Sequence, residues 1–400
     1  MKQFRSLLAA ITALLLVLSL SACNREDGMI DKETVNLKVW GAQEDQEMLK
    51  TMVENFKKMH PMTTYNITFG VVGEKDTQTK IMEDPSAAAD VFAFPDDQLR
   101  DLVGAGVLYE ITLNKPAITA AHTEGAVAAA TLNDKLYAYP MTADNGYFLY
   151  YDKSVLTADD VKTLDGLMNA AEAKGKKVLM DISNGWYVAS FFLSAGCELG
   201  LQNGKQTCNF NNEQGVAAGE AVKAFCGHSA FITGEDAILT GGIGNTIAAG
   251  VSGTWTAEAI KQKLGDNYAA TKLPTFTLNG KQVQLKSFAG YKLMGVNSAT
   301  KHPKEAMMLA EYLTNEENQL LRFKTRAMGP SNKKAAASDE VKQNVALSAL
   351  AMQNEFGVSQ AAVLNSTWNP LEAFGTAMET KDTSKTVKQL LDTMVSQITG

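Results

Sequence analysis

Two pairs of adjacent acids, Glu44-Asp45 and Asp96-Asp97, and four tryptophans, Trp40, Trp186, Trp255 and Trp368, are where this sequence offers chemistry. Two carboxyl groups of suitable separation can flank a glycosidic bond as acid and base, although adjacent acids on loops are more often solvated surface. The tryptophans are more informative. All four fall at expected strand ends or in loops, beside Gly, Ser, Thr, Asn or Pro, and outside the apolar faces of helices. An indole is costly to leave in water, its flat face stacks on the C–H surface of a sugar ring, and neighbouring Asp, Glu, Asn and Gln accept from hydroxyls. Taken together, these residues favour a carbohydrate site.

Other chemistries lack their residues. His60, His122, His228 and His302 are scattered without the paired spacing of a zinc site, so no metal is expected. Gly241-Gly242-Ile243-Gly244-Asn245 lacks the lysine of a phosphate-cradling loop, and Gly250-Val251-Ser252-Gly253 is one residue short of a nucleophile elbow, with no histidine and acid to serve Ser252. No cofactor and no catalytic residue is nominated. With 37 Lys and Arg against 44 Asp and Glu the net charge is −7, and loss of Lys2 and Arg5 with a leader would take it to −9. Such a surface repels phosphate backbones, which argues against nucleic acid as a partner.

The elements that must position these residues alternate strand and helix. At 400 residues, 45% of them hydrophobic and 20% charged, the chain has enough apolar surface for two lobes and too much charge for a polytopic membrane protein. Val35 to Trp40 alternates at period two, and Met48, Met52, Val53, Phe56 and Met59 then share one helical face. A strand over 65–72, a helix over 75–82, a strand over 90–94 and a helix over 97–103 follow. This opening predicts an α/β fold with a parallel or mixed sheet, whose ligands sit at the carboxyl ends of the strands. Those ends carry Glu44-Asp45 and Asp96-Asp97. Further on, Tyr137 to Pro140 and Gly146 to Tyr151 read as extended runs broken by Thr142-Ala143-Asp144-Asn145, where the chain is expected to cross between lobes. Strands are also expected over 178–182, 246–251 and 286–296, and the chain from Ser338 is mostly helical in pattern apart from a break over 365–370.

Residues 1–22 carry Lys2, Arg5 and an apolar run from Leu7 to Leu18 that is too short to span a bilayer, which is the pattern of a secretory leader. Leu20-Ser21-Ala22-Cys23 resembles the bacterial lipobox. That resemblance implies lipid on Cys23, a mature chain anchored to the outer side of the cell membrane, and a polar tether over 23–34. Such a compartment permits disulfides. Cys197 and Cys208 flank the turn signal Asn203-Gly204-Lys205, and a bridge between them is as well supported as its absence, whereas Cys226 reads as a buried free thiol.

Several segments together resemble the maltose/maltodextrin-binding family of extracellular solute-binding lipoproteins, which serve ATP-driven sugar importers. They are Leu37-Lys38-Val39-Trp40-Gly41, Ala89 to Phe94 with Gly104 to Leu108, Lys135 to Pro140 leading to Tyr150 to Lys153, Ser252 to Trp255, Leu273 to Phe276, His302 to Ala306, and Trp368-Asn369-Pro370. The resemblance implies a periplasmic-binding-protein-like fold of the maltose-binding type, with discontinuous lobes joined by a hinge. Carried over, one lobe is 35–142 plus 288–328 and the other 143–287 plus 329–400. The ligand residues it implies are Trp40, Glu44, Asp45, Phe94, Asp97, Asp144 or Asn145, Trp186, Tyr187, Trp255, Trp368 and Glu372. This sequence departs from the family pattern at Asp45 (commonly lysine), Phe94 (tryptophan), Gln98 (arginine), Gly185 (an acid) and Glu372 (arginine). The implied function is capture of a maltooligosaccharide by hinge closure and delivery, by a monomer, to a permease with its own ATPase. The alternatives are a receptor of the same fold for another oligosaccharide or a polyamine, a lipid-anchored glycosidase using Asp45, Asp97 or Asp144, and a glycan adhesin with no transporter.

Overall fold

The computed structural model describes residues 33–400 except Thr383. The expected leader, Cys23 and all but the end of the tether lie outside the described residues. β1 (Glu33–Gly41) buries Val35, Leu37 and Val39 on one face, the two-residue period of a strand. α1 (Gln46–Met59) turns Met48, Met52, Val53 and Phe56 inward, while Met59, expected on the same face, closes the last turn and is exposed. β2 (Thr63–Val71), α2 (Thr77–Glu83), β3 (Val91–Pro95) and α3 (Leu99–Gly104) complete the β-α-β-α-β opening. Each strand hands over to its helix through a 3-10 turn, Gln43–Asp45, Glu74–Asp76 and Asp96–Gln98. Because β1 runs parallel to both β2 and β3, these three acidic turns stand at the same edge of the sheet.

β4 (Ala138–Gly146) continues as one strand through Thr142 to Asn145, where a break was expected, and the irregularity there takes the form of two register shifts in its pairing. Antiparallel pairing with the strand Ser287–Val296 holds it extended, and the bend falls at Tyr147 instead. There β5 (Phe148–Asp152) enters a second sheet, joined by β6 (Lys177–Leu179). α4 (Gly185–Ser194) and the ribbon β7 (Leu199–Gln202) and β8 (Lys205–Cys208) follow. Next come β9 (Phe231–Ile232), α5 (Asp236–Gly242), β10 (Ile247–Ser252) and β11 (Tyr268–Thr271). The chain then returns to the first sheet as β12 (Ser287–Val296), continues through α6 (Glu316–Arg326), pairs again as β13 (Gly357–Ser359), and ends with α7 (Trp368–Glu379) and a helix over Val387–Thr399.

The first sheet has the order β13-β12-β3-β1-β2 with β4 on the other side of β12, and the second has the order β9-β6-β10-β5-β11. Both are mixed, because β12 is antiparallel to β3 and β10 is antiparallel to β5. The first sheet has an apolar core drawn from residues 35–141 and 293–313, and the second has two, one from 147–288 and 363–398 and one from 148–264 and 346–350. The result is two α/β lobes with a cleft where the chain passes between the sheets. No helix of the described residues is long and apolar enough to cross a membrane.

The ribbon β7–β8 turns at Asn203-Gly204 as expected, yet the bridge weighed across it is not formed. Cys208 faces Leu199, so Cys197 lies two residues outside the paired register, and its thiol donates to Asn212 Oδ1 at 3.5 Å. Burial pushes both thiols up to about 11. Cys226 is a buried free thiol, as expected.

Candidate functional site: an aromatic wall facing an acidic edge

Three of the four tryptophans stand where a loop becomes a helix. Trp186 is the second residue of α4, and its backbone N–H donates to the Asn184 cap at 3.0 Å. Trp255 lies in the 3-10 turn that ends β10, and Trp368 opens α7, with Pro370 accommodated in the first turn. α4 meets α7 at Gly185. A Cβ there would come within 2.8 Å of Trp368 O and 2.9 Å of Leu371 Cβ, so any larger residue would have to displace backbone. Trp186 and Trp255 lie 6.1 Å apart between ring centroids, and Tyr147 and Tyr187 pack edge-on to Trp186 at 4.5 and 5.3 Å. Trp368 packs edge-on to Phe288 at 5.6 Å. Each indole stays partly exposed.

Opposite this wall stands the acidic edge of the first sheet. Asp97 Oδ2 accepts from Trp368 Nε1 at 3.3 Å, and Gln360 Nε2 donates to Asp96 Oδ1 at 2.7 Å and Asp97 Oδ1 at 3.1 Å. Burial, and for Asp96 the adjoining Asp97, push both carboxyls up to about 7. Glu74 behaves in the opposite way. Its burial is outweighed by the ammonium of Lys292, 3.7 Å away, by a backbone N–H and by Arg322 and Arg326, so its carboxyl sits below the usual range. Lys292 also stands 5.2 Å over the ring of Trp255, joining the two sides of the cleft. Asp144, on β4, accepts on Oδ2 from Thr254 Oγ1 at 2.5 Å and from Gly329 N at 2.6 Å, while its buried Oδ1 meets no protein donor. Asp236 accepts from Trp255 Nε1 and Ser252 Oγ, each at 2.7 Å, so the Ser252 hydroxyl is a donor held at the end of β10.

The expected ligand residues do not all meet here. Asp97, Asp144, Trp186, Tyr187, Trp255 and Trp368 do, and half-buried Glu372 lies one turn after Trp368 on α7, its carboxyl raised by burial. Asn145 is 9% exposed and pairs through its backbone with Gly290. Glu44 is exposed on its turn. Phe94 is a correction: it is fully buried in the first core, 5.8 Å from Phe92, and has no face to offer a ligand. Trp40 is half-buried against Phe92 on the first sheet, apart from the three converging tryptophans. Both oxygens of Asp45 are held by Arg322 and Arg326 at 3.0 Å, which ties the first acidic turn to α6. The indoles, with Asp236 and Glu372 beside them, therefore come from one side of the cleft, and Asp97 and Asp144 from the other.

Sequence reasoning missed Glu74, Lys292, Asp236 and Gln360. Glu74 had a signal, since it ends an expected strand just as Asp45 and Asp97 do. Lys292 lies mid-strand and Gln360 in a connecting segment, and nothing in their neighbours marks them. The site as built suits a ring with apolar faces and hydroxyl edges: indoles for the faces, carboxylates and an amide for the edges. Among the described residues no His, Cys, Asp and Glu cluster fit to hold a metal occurs.

The chain matches the profile of the family described as bacterial extracellular solute-binding protein over residues 51–349. A comparison with curated proteins finds no match. Among solved structures, one described as "with acarbose" is 28% identical with a TM-score of 0.82, covering 92% of this chain and 99% of that one. The maltodextrin binding protein MalE1 from L. casei BL23, without ligand, is 28% identical with a TM-score of 0.76, over 92% of this chain and 99% of that one. The maltose-maltodextrin binding protein of Alicyclobacillus acidocaldarius, at 17% identity and a TM-score of 0.77 over 92% of this chain and 100% of that one, shares the fold.

Proposed function

The chain belongs to the bacterial extracellular solute-binding proteins, and from that premise we propose that its cleft captures a maltooligosaccharide or another α-glucan and delivers it to an ATP-driven importer. The observation that carries the reading is the opposition of Trp186, Trp255 and Trp368 to Asp97, Asp144 and Glu74 across one cleft. The likeness to proteins described as binding maltodextrin and acarbose supports it. Sugar would lie on the indoles, and the lobes would close by hinge motion at the crossing segments, since only the closed form offers both sides at once. We read the protein as a non-catalytic monomer, anchored by lipid on Cys23 beyond the cytoplasmic membrane.

Titration of tryptophan fluorescence with maltose, maltotriose, maltotetraose, cellobiose and spermidine tests the solute. Saturable quenching by the maltooligosaccharides alone is expected, and a response to spermidine alone would overturn the reading. Chromatography of maltotetraose after prolonged incubation should show no shorter product, whereas released glucose or maltose would establish a glycosidase. Replacing Cys23→Ser should move the protein from the membrane fraction to the soluble one.

A further inference from the structure

Gln360 lies in the segment that leaves β13 for α7, and it is 1% exposed. Its Oε1 accepts from Trp186 Nε1 at 3.0 Å, while its Nε2 donates to both Asp96 and Asp97. The partners fix the amide's orientation. An indole N–H can only donate, so it must meet the amide oxygen, and that leaves the NH2 group for the carboxyls. One side chain therefore grips the acidic edge of the first lobe and the aromatic wall of the second. Gly290 on β12 makes the room: a Cβ there would come within 2.5 Å of Asp96 Oδ1 and 2.7 Å of Gln360 Cδ.

The donors to this acid pair are all neutral. They are Gln360, the Trp368 indole and backbone N–H groups, including that of Tyr291. Asp45, by contrast, has two guanidinium partners. The titratable groups around the pair are Asp101 on α3 and Tyr291 on β12. Lys292, next along β12, is committed to Glu74, and Glu372 on α7 faces Lys75. Two adjoining carboxyls closed off from water without a cation cannot both stay ionised cheaply.

We propose that Gln360 is the positioning residue of lobe closure, locking Asp96 and Asp97 to Trp186 while that acid pair holds a proton, so that closure and sugar binding take up a proton. This rests on the reading of the cleft as a closing sugar site. In this structure, where Gln360 links the two lobes, both carboxyls are raised to about 7. When the lobes part, water reaches them and they return to the ordinary carboxylate range, about 4. A value higher in the closed form means that the advantage of closure is complete below about pH 4 and is lost as pH rises through about 7.

Small-angle scattering of the sugar-free protein between pH 5 and 9, with maltotriose titrations at the same pH values, tests the proposal. The radius of gyration should grow as pH rises from 5 to 7 and level off above it, and the Kd should rise by about tenfold between pH 6 and 8 for one proton, most of it below pH 7. Asp96→Asn together with Asp97→Asn keeps acceptors for Gln360 and the Trp368 indole and removes both carboxyls, so both profiles should flatten. Gln360→Glu adds a third carboxyl and should shift both profiles to lower pH; if it does not fold, the double asparagine variant decides the matter. A wild-type radius and Kd that do not change with pH, or a double asparagine variant that keeps the wild-type slope, would overturn the proposal. A pH-dependent radius without maltotriose binding would sink the sugar reading and leave the latch standing. Tight binding with flat profiles would do the reverse.

Discussion

An indole has two flat faces and one N–H, and the three site tryptophans use that N–H alike. Trp186 donates to Gln360 Oε1 at 3.0 Å, Trp255 to Asp236 Oδ2 at 2.7 Å and Trp368 to Asp97 Oδ2 at 3.3 Å. With the polar edge satisfied, each ring is oriented and its face is left for apolar contact. Stacking contributes about 0.5–1.5 kcal/mol per ring beyond area burial, so Trp255→Ala with Trp368→Ala should raise the Kd for maltotriose by tens of fold or more, as read by calorimetry. An unchanged Kd would remove these two from the site. Asp45 serves the structure differently. It is 3% exposed between two guanidinium groups, and Asp45→Ala would leave both without their carboxylate. A loss of about 3–5 kcal/mol in urea unfolding is expected; a loss below 1 kcal/mol would show that water compensates the arginines.

At the scale of elements, the cleft is made of ends. Strand-to-helix 3-10 turns place Glu74 and Asp97 on one side, and the loop-to-helix junctions of α4 and α7 place Trp186 and Trp368 on the other. Backbone groups at such ends are already free of ladder pairing, so side chains there can be aimed without breaking a sheet. The α4–α7 junction depends on contact between backbone atoms at Gly185. Gly185→Glu, which installs the acid common in related proteins, should lower the Tm and weaken maltotriose binding together, because the carboxylate has to displace Trp368. Thermal scans and titration would check this, and a variant as stable as wild type with tighter binding would contradict it. The ribbon β7–β8 supports the same region from behind. Gln206 Oε1 accepts from Leu364 N at 2.7 Å and from Thr367 Oγ1 at 3.2 Å, next to Trp368.

At the scale of the molecule, each sheet carries its own apolar packing, in one cluster for the first and two for the second. His122 is buried in the first lobe with Nδ1 3.0 Å from Ser331 Oγ, and burial lowers it to about 4. The unfolded chain therefore takes up a proton near pH 6.5 that the folded chain refuses until about 4. The stability this group supplies is complete above pH 6.5 and is lost as pH falls towards 4. Asp96 and Asp97, raised on folding, act with the opposite sign over the same window, so the test compares wild type with His122→Gln. The variant should lose less stability than wild type between pH 7 and 4.5 in urea unfolding, and equal losses would refute the assignment.

The sequence by itself determined the alternation of strand and helix, the carboxyl ends where a site could lie, and the three tryptophans at those ends, because periodicity and turn residues are local properties. Phe94 was misjudged because a phenyl in a buried strand reads alike whether it faces ligand or core. The ion pairs of Asp45 were not legible because its arginine partners stand on α6, far along the chain. Only the tertiary structure decided that the indoles face Asp97 and Asp144 across the cleft, that Cys208 meets Leu199 and not Cys197, and that Gln360 and Lys292 join the two sides. Those outcomes depend on which distant segments the cores bring together, and short-range pattern carries no record of them.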